Sequence, residues 1–253
     1  MQLGLVTYQI AEHWDVPTIL SHCAQTGFAA VELRTTHAHG VELGLSADAC
    51  AEVRARFADS GVRLWGLGTV CEYHSADPAV VAHNVEETKQ WIGLAAQVGA
   101  RGVKVRPNGV PEGHAPEAVA ERIGRALAQV GPAAADAGVL VYLEVHGHVT
   151  CDPRLVRIMM ETCAHPAVGV CWNSNLHPTE VIDGRIDETF ALLAPWIQSV
   201  HITELCNAYP WRDLFRLLVA SGYTGATLAE CAGNPDPLRF MRYYRALWQA
   251  YQP

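Results

Sequence analysis

The sequence predicts an α/β fold, a single (β/α)8 TIM barrel over residues 1–253, and three observations predict it. Short apolar or β-branched runs recur eight times along the chain. Segments with helical period and helix-start signals lie between them. Several of these segments end on a glycine that hands the chain to the next run. Regular strand–helix alternation implies a parallel sheet, and eight units of roughly 32 residues close most naturally into a barrel. The competing doubly wound sheet would carry a glycine-rich phosphate turn after its first strand, where this chain has TYQIAEHWD from Thr7 to Asp15.

The elements follow in order. LGLVTY (3–8) is the first strand, and the helix after it closes at Gly27. AAVELR (29–34) is the second; Ser46 then supplies an N-cap for a helix ending at Gly61. RLWGLGT (63–69) is the third, and Asp77-Pro78, an N-cap with proline at the first helical position, opens a helix ending at Gly99. GVKVRP (102–107) leads to a helix ending at Gly138, and VLVYLEVH (139–146) is the fifth strand. VGVCWN (168–173), SVHITE (199–204) and ATLAEC (226–231) complete the eight, with Gly222 closing the helix between the last two. The connecting stretches are the length of βα loops and none reads as an interdomain linker, so one domain is expected. The aromatic-rich C-terminal FMRYYRALWQAYQP is expected either to pack on the barrel or to join a homodimer.

Composition excludes several classes. A chain with 50% hydrophobic residues, mean hydropathy +0.07 and net charge -8 is not a disordered one. No uncharged apolar run reaches the ~18 residues of a membrane span. The start lacks a basic segment and becomes polar within nine positions, so a cytoplasmic protein without a signal peptide is expected. Eight cysteines without a CxxC pair argue against a zinc knuckle, a thioredoxin-type site or a disulfide framework. The acidic balance, 26 acidic against 18 basic residues, makes nucleic acid a poor partner.

Side-chain parity locates the chemistry. Along the fifth strand Val139, Val141, Leu143 and Val145 are uniformly apolar, whereas Leu140, Tyr142, Glu144 and His146 grow polar toward the C-terminal end. The second set is expected to face inward, with its polar members at the mouth where barrel active sites sit. The same split gives inward Glu32, Arg34, Lys104, Arg106, His201 and Thr203. Strands five to eight then end in Glu144, Asn173, His201 and Glu230, four ligand-capable groups at one height. Their oxygens and imidazole nitrogen suit one divalent metal ion, Mn2+ before Mg2+, Co2+ or Zn2+. Taken singly, each residue has a plainer reading: Glu144 paired with Lys104 or Arg106, and His201 hydrogen-bonded in the core. The joint pattern favours the metal.

With these residues in view, the sequence resembles the xylose isomerase-like TIM-barrel superfamily, in its sugar phosphate isomerase/epimerase group. The carriers are TGFAAVELR, LEVHGH, VGVCWN followed by His177, SVHITEL and LAEC, and the resemblance covers essentially the full chain. It implies that a Glu, an Asp, a His and a Glu after strands five to eight bind one divalent metal, here Glu144, Asn173, His201 and Glu230. The departure is Asn173 in place of Asp, with His177 four residues on rather than three. An amide oxygen still coordinates hard cations but carries no charge, which weakens the site or changes its preferred metal.

The resemblance further implies proton transfer at a carbon next to a carbonyl of a small sugar or sugar-like substrate, through an enediolate, with Glu144 and Glu230 as the acid–base pair. Return of the proton to the same carbon gives epimerisation, and to its neighbour, isomerisation. His74, Lys104, Arg106, His146, His177, Glu204 and Trp14 are the expected substrate contacts, His146 for a hydroxyl and Trp14 for a sugar face. His37 and His39 form an HxH that alone is weak evidence for metal. Two other readings remain open: a metal-dependent lyase or dehydratase on the same barrel, and a non-catalytic sugar-binding barrel. Endonuclease IV, the DNA-repair branch, is disfavoured by the acidic charge.

Overall fold

A computed structural model describes all 253 residues. Strands β1 (Gln2–Val6), β2 (Ala30–Arg34), β3 (Arg63–Glu72), β4 (Gly102–Arg106), β5 (Leu140–Glu144), β6 (Val168–Asn173), β7 (Ile197–Ile202) and β8 (Ala226–Ala229) all pair in parallel. The sheet closes where Gly4 of β1 meets Leu228 of β8. Helices α1 (Val16–Thr26), α2 (Ala47–Ser60), α3 (Pro78–Val98), α4 (Pro116–Ala137), α5 (Pro153–Cys163), α6 (Asp187–Leu193), α7 (Trp211–Ala220) and α8 (Pro237–Tyr251) form the outer ring. The fold is the expected (β/α)8 barrel.

Local chemistry explains the punctuation. Asp15, Ser46, Asp77, Asp152 and Asp236 cap α1, α2, α3, α5 and α8 by accepting a backbone N–H with the side chain. Gly27, Gly61, Gly99 and Gly138 end four helices in the left-handed region. The fifth anticipated glycine, Gly222, lies one residue past the α7 cap at Ser221, also at positive φ. Several strands stop short of their sequence-based ends. β5 ends at Glu144 rather than residue 146, because Gly147 turns at φ +92 and Thr150 Oγ1 donates to the His146 carbonyl. β7 runs 197–202 rather than 199–204, since Thr203 leaves the ladder to bond Ser174 Oγ through its N–H.

The main core, 64 buried residues, lies between barrel and helices. Inside the barrel a second cluster of Val6, Ala30, Trp65, Tyr142, Cys171, Ala226 and Leu228 plugs the lower half. Trp65 Nε1 donates across this interior to Ser199 Oγ, 3.1 Å away. The C-terminal helix packs on the barrel: Tyr244 Oη donates to the Thr203 carbonyl (2.6 Å), Trp248 Nε1 to Thr227 Oγ1 (2.9 Å) and Tyr251 Oη to the Leu205 carbonyl (3.1 Å). All eight cysteines are free thiols, and only Cys206 is exposed. No helix is long and apolar enough to cross a membrane.

Candidate active site

Above the apolar plug the barrel interior turns charged. Glu32, Lys104, Glu144 and His201 are each buried there, held by β2, β4, β5 and β7 on the inward parity. Burial of so many ionisable groups is tolerable only if they partner one another. Lys104 Nζ donates to Glu144 Oε2 at 2.7 Å. His201 Nε2 lies 3.2 Å from Glu32 Oε2. The other nitrogen, His201 Nδ1, has no hydrogen-bond partner although it is buried, and it points between Glu144 Oε1 (3.4 Å) and Glu230 Oε2 (3.6 Å).

Glu144, His201 and Glu230 thus bring one ligand atom each to within 4.8 Å of one another. This suits a cation: two carboxylate oxygens and an imidazole nitrogen converge, while the opposite nitrogen of the ring is fixed by a carboxylate, a device common at metal-binding histidines. Asn173 also reaches the cluster, where its Nδ2 donates to Glu144 Oε1 at 3.2 Å. In that orientation the amide serves the carboxylate, and rotation of the amide would present its oxygen instead.

The electrostatics follow from packing. Burial opposes the charge on Glu144, but Lys104 and then His201 outweigh it and hold the carboxyl well below its ordinary range. Burial likewise opposes ionisation of Glu230, and His201 again brings the net shift downward. For Lys104 burial is outweighed by Glu144, Glu32 and Glu230, which together raise its pKa. Burial dominates at His146 and lowers its pKa, so the ring favours its neutral form.

A cavity of about 300 Å³ opens on this cluster from the C-terminal ends of the strands. Of the residues anticipated from sequence, Lys104, Arg106, Glu144, His146, Asn173 and Glu230 line it, and His201 lies just beneath. Trp14, His74, His177 and Glu204 are not part of its wall. Trp14 packs edge-on against His22, with ring centroids 4.3 Å apart. His74 lies beside Glu72, with Nδ1 3.8 Å from Oε2. His177 Nδ1 is taken by Thr179 within its own turn, at 2.8 Å from Oγ1. His39 bridges the Arg34 carbonyl and the Val41 N–H, and His37 contacts Thr7, so the HxH serves its loop.

Tyr8, Arg34, Asn175 and Thr203 complete the cavity wall; strand parity placed Arg34 and Thr203 inward without assigning them a function, and sequence reasoning missed Tyr8 and Asn175. It also overlooked Glu32 as the partner of His201. A signal for Glu32 existed in the alternate glycines of β3. A Cβ on Gly68 would stand 2.8 Å from Glu32 Oε1, so GLG clears the barrel axis for a carboxylate.

The model of the family of xylose isomerase-like TIM barrels matches residues 20–242. The chain belongs to this family. No protein of curated function matches it by sequence. Solved structures of low identity share its fold. 3-Keto-D-glucoside 4-epimerase YcjR from E. coli superposes with a TM-score of 0.81 at 15% identity, over 99% of each chain. D-Psicose 3-epimerase from Clostridium cellulolyticum H10, solved with D-tagatose, gives 0.81 at 14% identity over 98% of this chain and 99% of its own. The IolI protein, solved with a bound zinc atom, gives 0.79 at 15% identity over 99% and 96%. Glu144, Asn173 and His201 lie in β5, β6 and β7, and Glu230 directly follows β8.

Proposed function

We propose that this single-domain chain is a metal-dependent isomerase or epimerase of a small sugar or sugar derivative, moving a proton at a carbon next to a carbonyl. The observation that carries the reading is the unpartnered, buried His201 Nδ1 aimed between Glu144 and Glu230 while Glu32 holds Nε2. Sugar epimerases of the same fold, one of them solved with a ketose, support the substrate class. IolI with its zinc supports a divalent ion.

Glu144, His201 and Glu230 would hold the ion, with Asn173 as a fourth ligand through its amide oxygen; hard oxygen donors with one imidazole favour Mn2+. The chemistry that a divalent ion held there would supply is Lewis-acid polarisation of a carbonyl, which would acidify the neighbouring carbon. The chain's own residues do the rest. Glu144, kept ionised by Lys104, is poised to accept a proton, and Glu230, which faces the same His201 nitrogen and is likewise ionised, delivers one only after taking it up from solvent. His146, neutral and lining the cavity, contacts a substrate hydroxyl. Glu32 keeps the His201 ring from turning.

The test is proton exchange. Protein stripped with chelator and reconstituted with Mn2+ is incubated with a panel of ketoses in D2O, and deuterium at the carbon next to the carbonyl is followed by NMR. Metal-dependent incorporation, with an epimer or isomer appearing, is expected. Absence of bound divalent metal after reconstitution, or metal-independent exchange, would overturn the proposal. An eliminated water in the product would point to the dehydratase instead.

A further inference from the structure

The mouth at the opposite end of the barrel opens on a second cavity, about 460 Å³ and larger than the one above the charged layer. It lies where strands begin. Arg63 opens β3, Arg101 directly precedes β4, Ile197 and Gln198 open β7, and Gly225 directly precedes β8. The apolar plug stands between this cavity and Glu144, His201 and Glu230, and no carboxylate or histidine lines it. It therefore suits binding and not proton transfer. An adjoining hollow shares Arg63 and Arg101, adds Arg54 and again has no carboxylate. On a chain of net charge -8, this wholly basic lining is a local reversal of sign.

Positive charge alone is no site, since Arg63 is exposed and water serves its guanidinium. Two buried features give the place its form. Arg101, half-buried, lies 4.3 Å from the centroid of the buried Trp65 ring and is oriented by neutral acceptors on β7: Nη1 donates to the Gln198 carbonyl at 3.0 Å and Nη2 to Gln198 Oε1 at 3.2 Å. Those bonds fix the fork and leave its remaining N–H groups available. Arg63 stacks on the same indole, 5.4 Å from its centroid. Tyr142 is the second feature. It is fully buried, the Cζ that carries its hydroxyl sits 2.7 Å from where a Cβ on Gly102 would stand, and its Oη has no hydrogen-bond partner. Arg101 and Tyr223, both on the cavity wall, are its neighbours: the guanidinium favours ionisation of Tyr142, and Tyr142 opposes that of Tyr223. A buried hydroxyl is costly to leave unbonded, so one that stands beside an oriented guanidinium marks a place for an acceptor.

We propose that this cavity at the N-terminal ends of the strands is a second ligand site, separate from the catalytic one, and that it takes a phosphate group, free or carried as a small monoester. Arg63, Arg101 and the Tyr142 hydroxyl bring donors from three neighbouring positions around the ring of strands, which fits a tetrahedral oxyanion better than a planar carboxylate. A volume of about 460 Å³ leaves room for the carbon chain of an ester. The site stands apart from the sugar isomerase/epimerase reading, because the two cavities share no lining residue.

Isothermal titration of the full chain with inorganic phosphate, and in parallel with glycerol 3-phosphate and acetate, tests it. Phosphate or its ester is expected to bind saturably and acetate at least about tenfold more weakly, with an affinity that falls as salt rises. Mn2+-loaded and chelator-treated protein should bind phosphate equally, which sets the ligand apart from the metal. Arg101→Gln should weaken phosphate at least about tenfold, and Arg101→Lys should recover part of the loss. Tyr142→Phe should weaken it severalfold while leaving Tm without phosphate unchanged or higher, since the variant removes an unbonded buried hydroxyl. A hydroxyl with a purely structural role would give the reverse, a lower Tm and unchanged affinity. Tighter binding of the ester identifies carried phosphate as the ligand, and equal affinity the free ion. No saturable binding of either at millimolar concentration, acetate binding as tightly as phosphate, binding that requires Mn2+, or unchanged affinity in folded Arg101→Gln or Tyr142→Phe protein overturns the proposal.

Discussion

His201 illustrates how one residue acquires its chemistry from two directions. Its ring could have been an ordinary buried histidine bonded at both nitrogens, but only Nε2 is engaged, by a Glu32 carboxylate 169 positions away in the chain. Glu144 is similarly divided, with Oε2 on Lys104 and Oε1 toward His201 and Asn173. Glu144→Gln and Glu230→Gln should each lower solvent-proton exchange by about 100-fold or more, since each removes an acid–base group and a charged ligand. NMR exchange rates with bound metal verified will show it; near-normal exchange in either variant removes that residue from the mechanism. Asn173→Asp should tighten Mn2+ about tenfold by adding a charge at the strand-six position, read by titration calorimetry. Unchanged affinity would mean that the position does not coordinate. Glu144, Asn173, His201 and Glu230 were legible because inward parity and position at a strand's end are local properties. The Glu32–His201 pairing was not, because β2 and β7 are brought together only by closure of the barrel.

At the scale of elements, the segment after β6 shows a buried acid doing structural work near the cavity. Glu180 is fully buried; Tyr209 Oη bonds its Oε1 at 2.6 Å, and Asn175 Nδ2 donates to its Oε2 at 3.2 Å. Burial, with no cation beside it, pushes this carboxyl up to about 8, so it is protonated at neutral pH. A carboxyl that binds its proton more tightly folded than unfolded lends stability that is complete below the ordinary value of 4.5 and is lost as pH rises through about 8. Within that window the loss is of order 1 kcal/mol per pH unit. Glu180→Gln imitates the protonated form and should flatten the decline, leaving the variant more stable than the wild type above pH 8. Urea unfolding at several pH values measures both slopes, and parallel curves would contradict the assignment. Because Asn175 also lines the cavity, the same proton supports one wall of the site. Nothing in the run NSNLHPTE marks Glu180 as buried; Tyr209 arrives from the segment after β7 to bond it, and is itself held by Trp172 Nε1.

For the whole molecule, the barrel separates stability from chemistry. An apolar lower plug and the surrounding helix layer supply the hydrophobic burial, and the charged layer above them stores unfavourable desolvation that partners must offset. A cation bound only by the closed barrel stabilises the folded state by mass action. Mn2+ at about 100 times its Kd should add ~2.7 kcal/mol and raise Tm by about 5–10 °C for a chain of this size. Differential scanning calorimetry with and without chelator checks this, and a shift that survives in the Glu144→Gln, Glu230→Gln double variant would place the ion elsewhere.

The order of elements, the caps and the inward register were determined by the sequence alone. They depend on residues within a turn or two of one another: Asp-Pro starts, glycine ends, and period-two alternation in the strands. The convergence of Glu144, His201 and Glu230 and the unpartnered His201 Nδ1 were decided only by the tertiary structure. Each is a relation across the barrel, set by closure of β1 on β8 and by which partners the low-dielectric interior leaves for each charge.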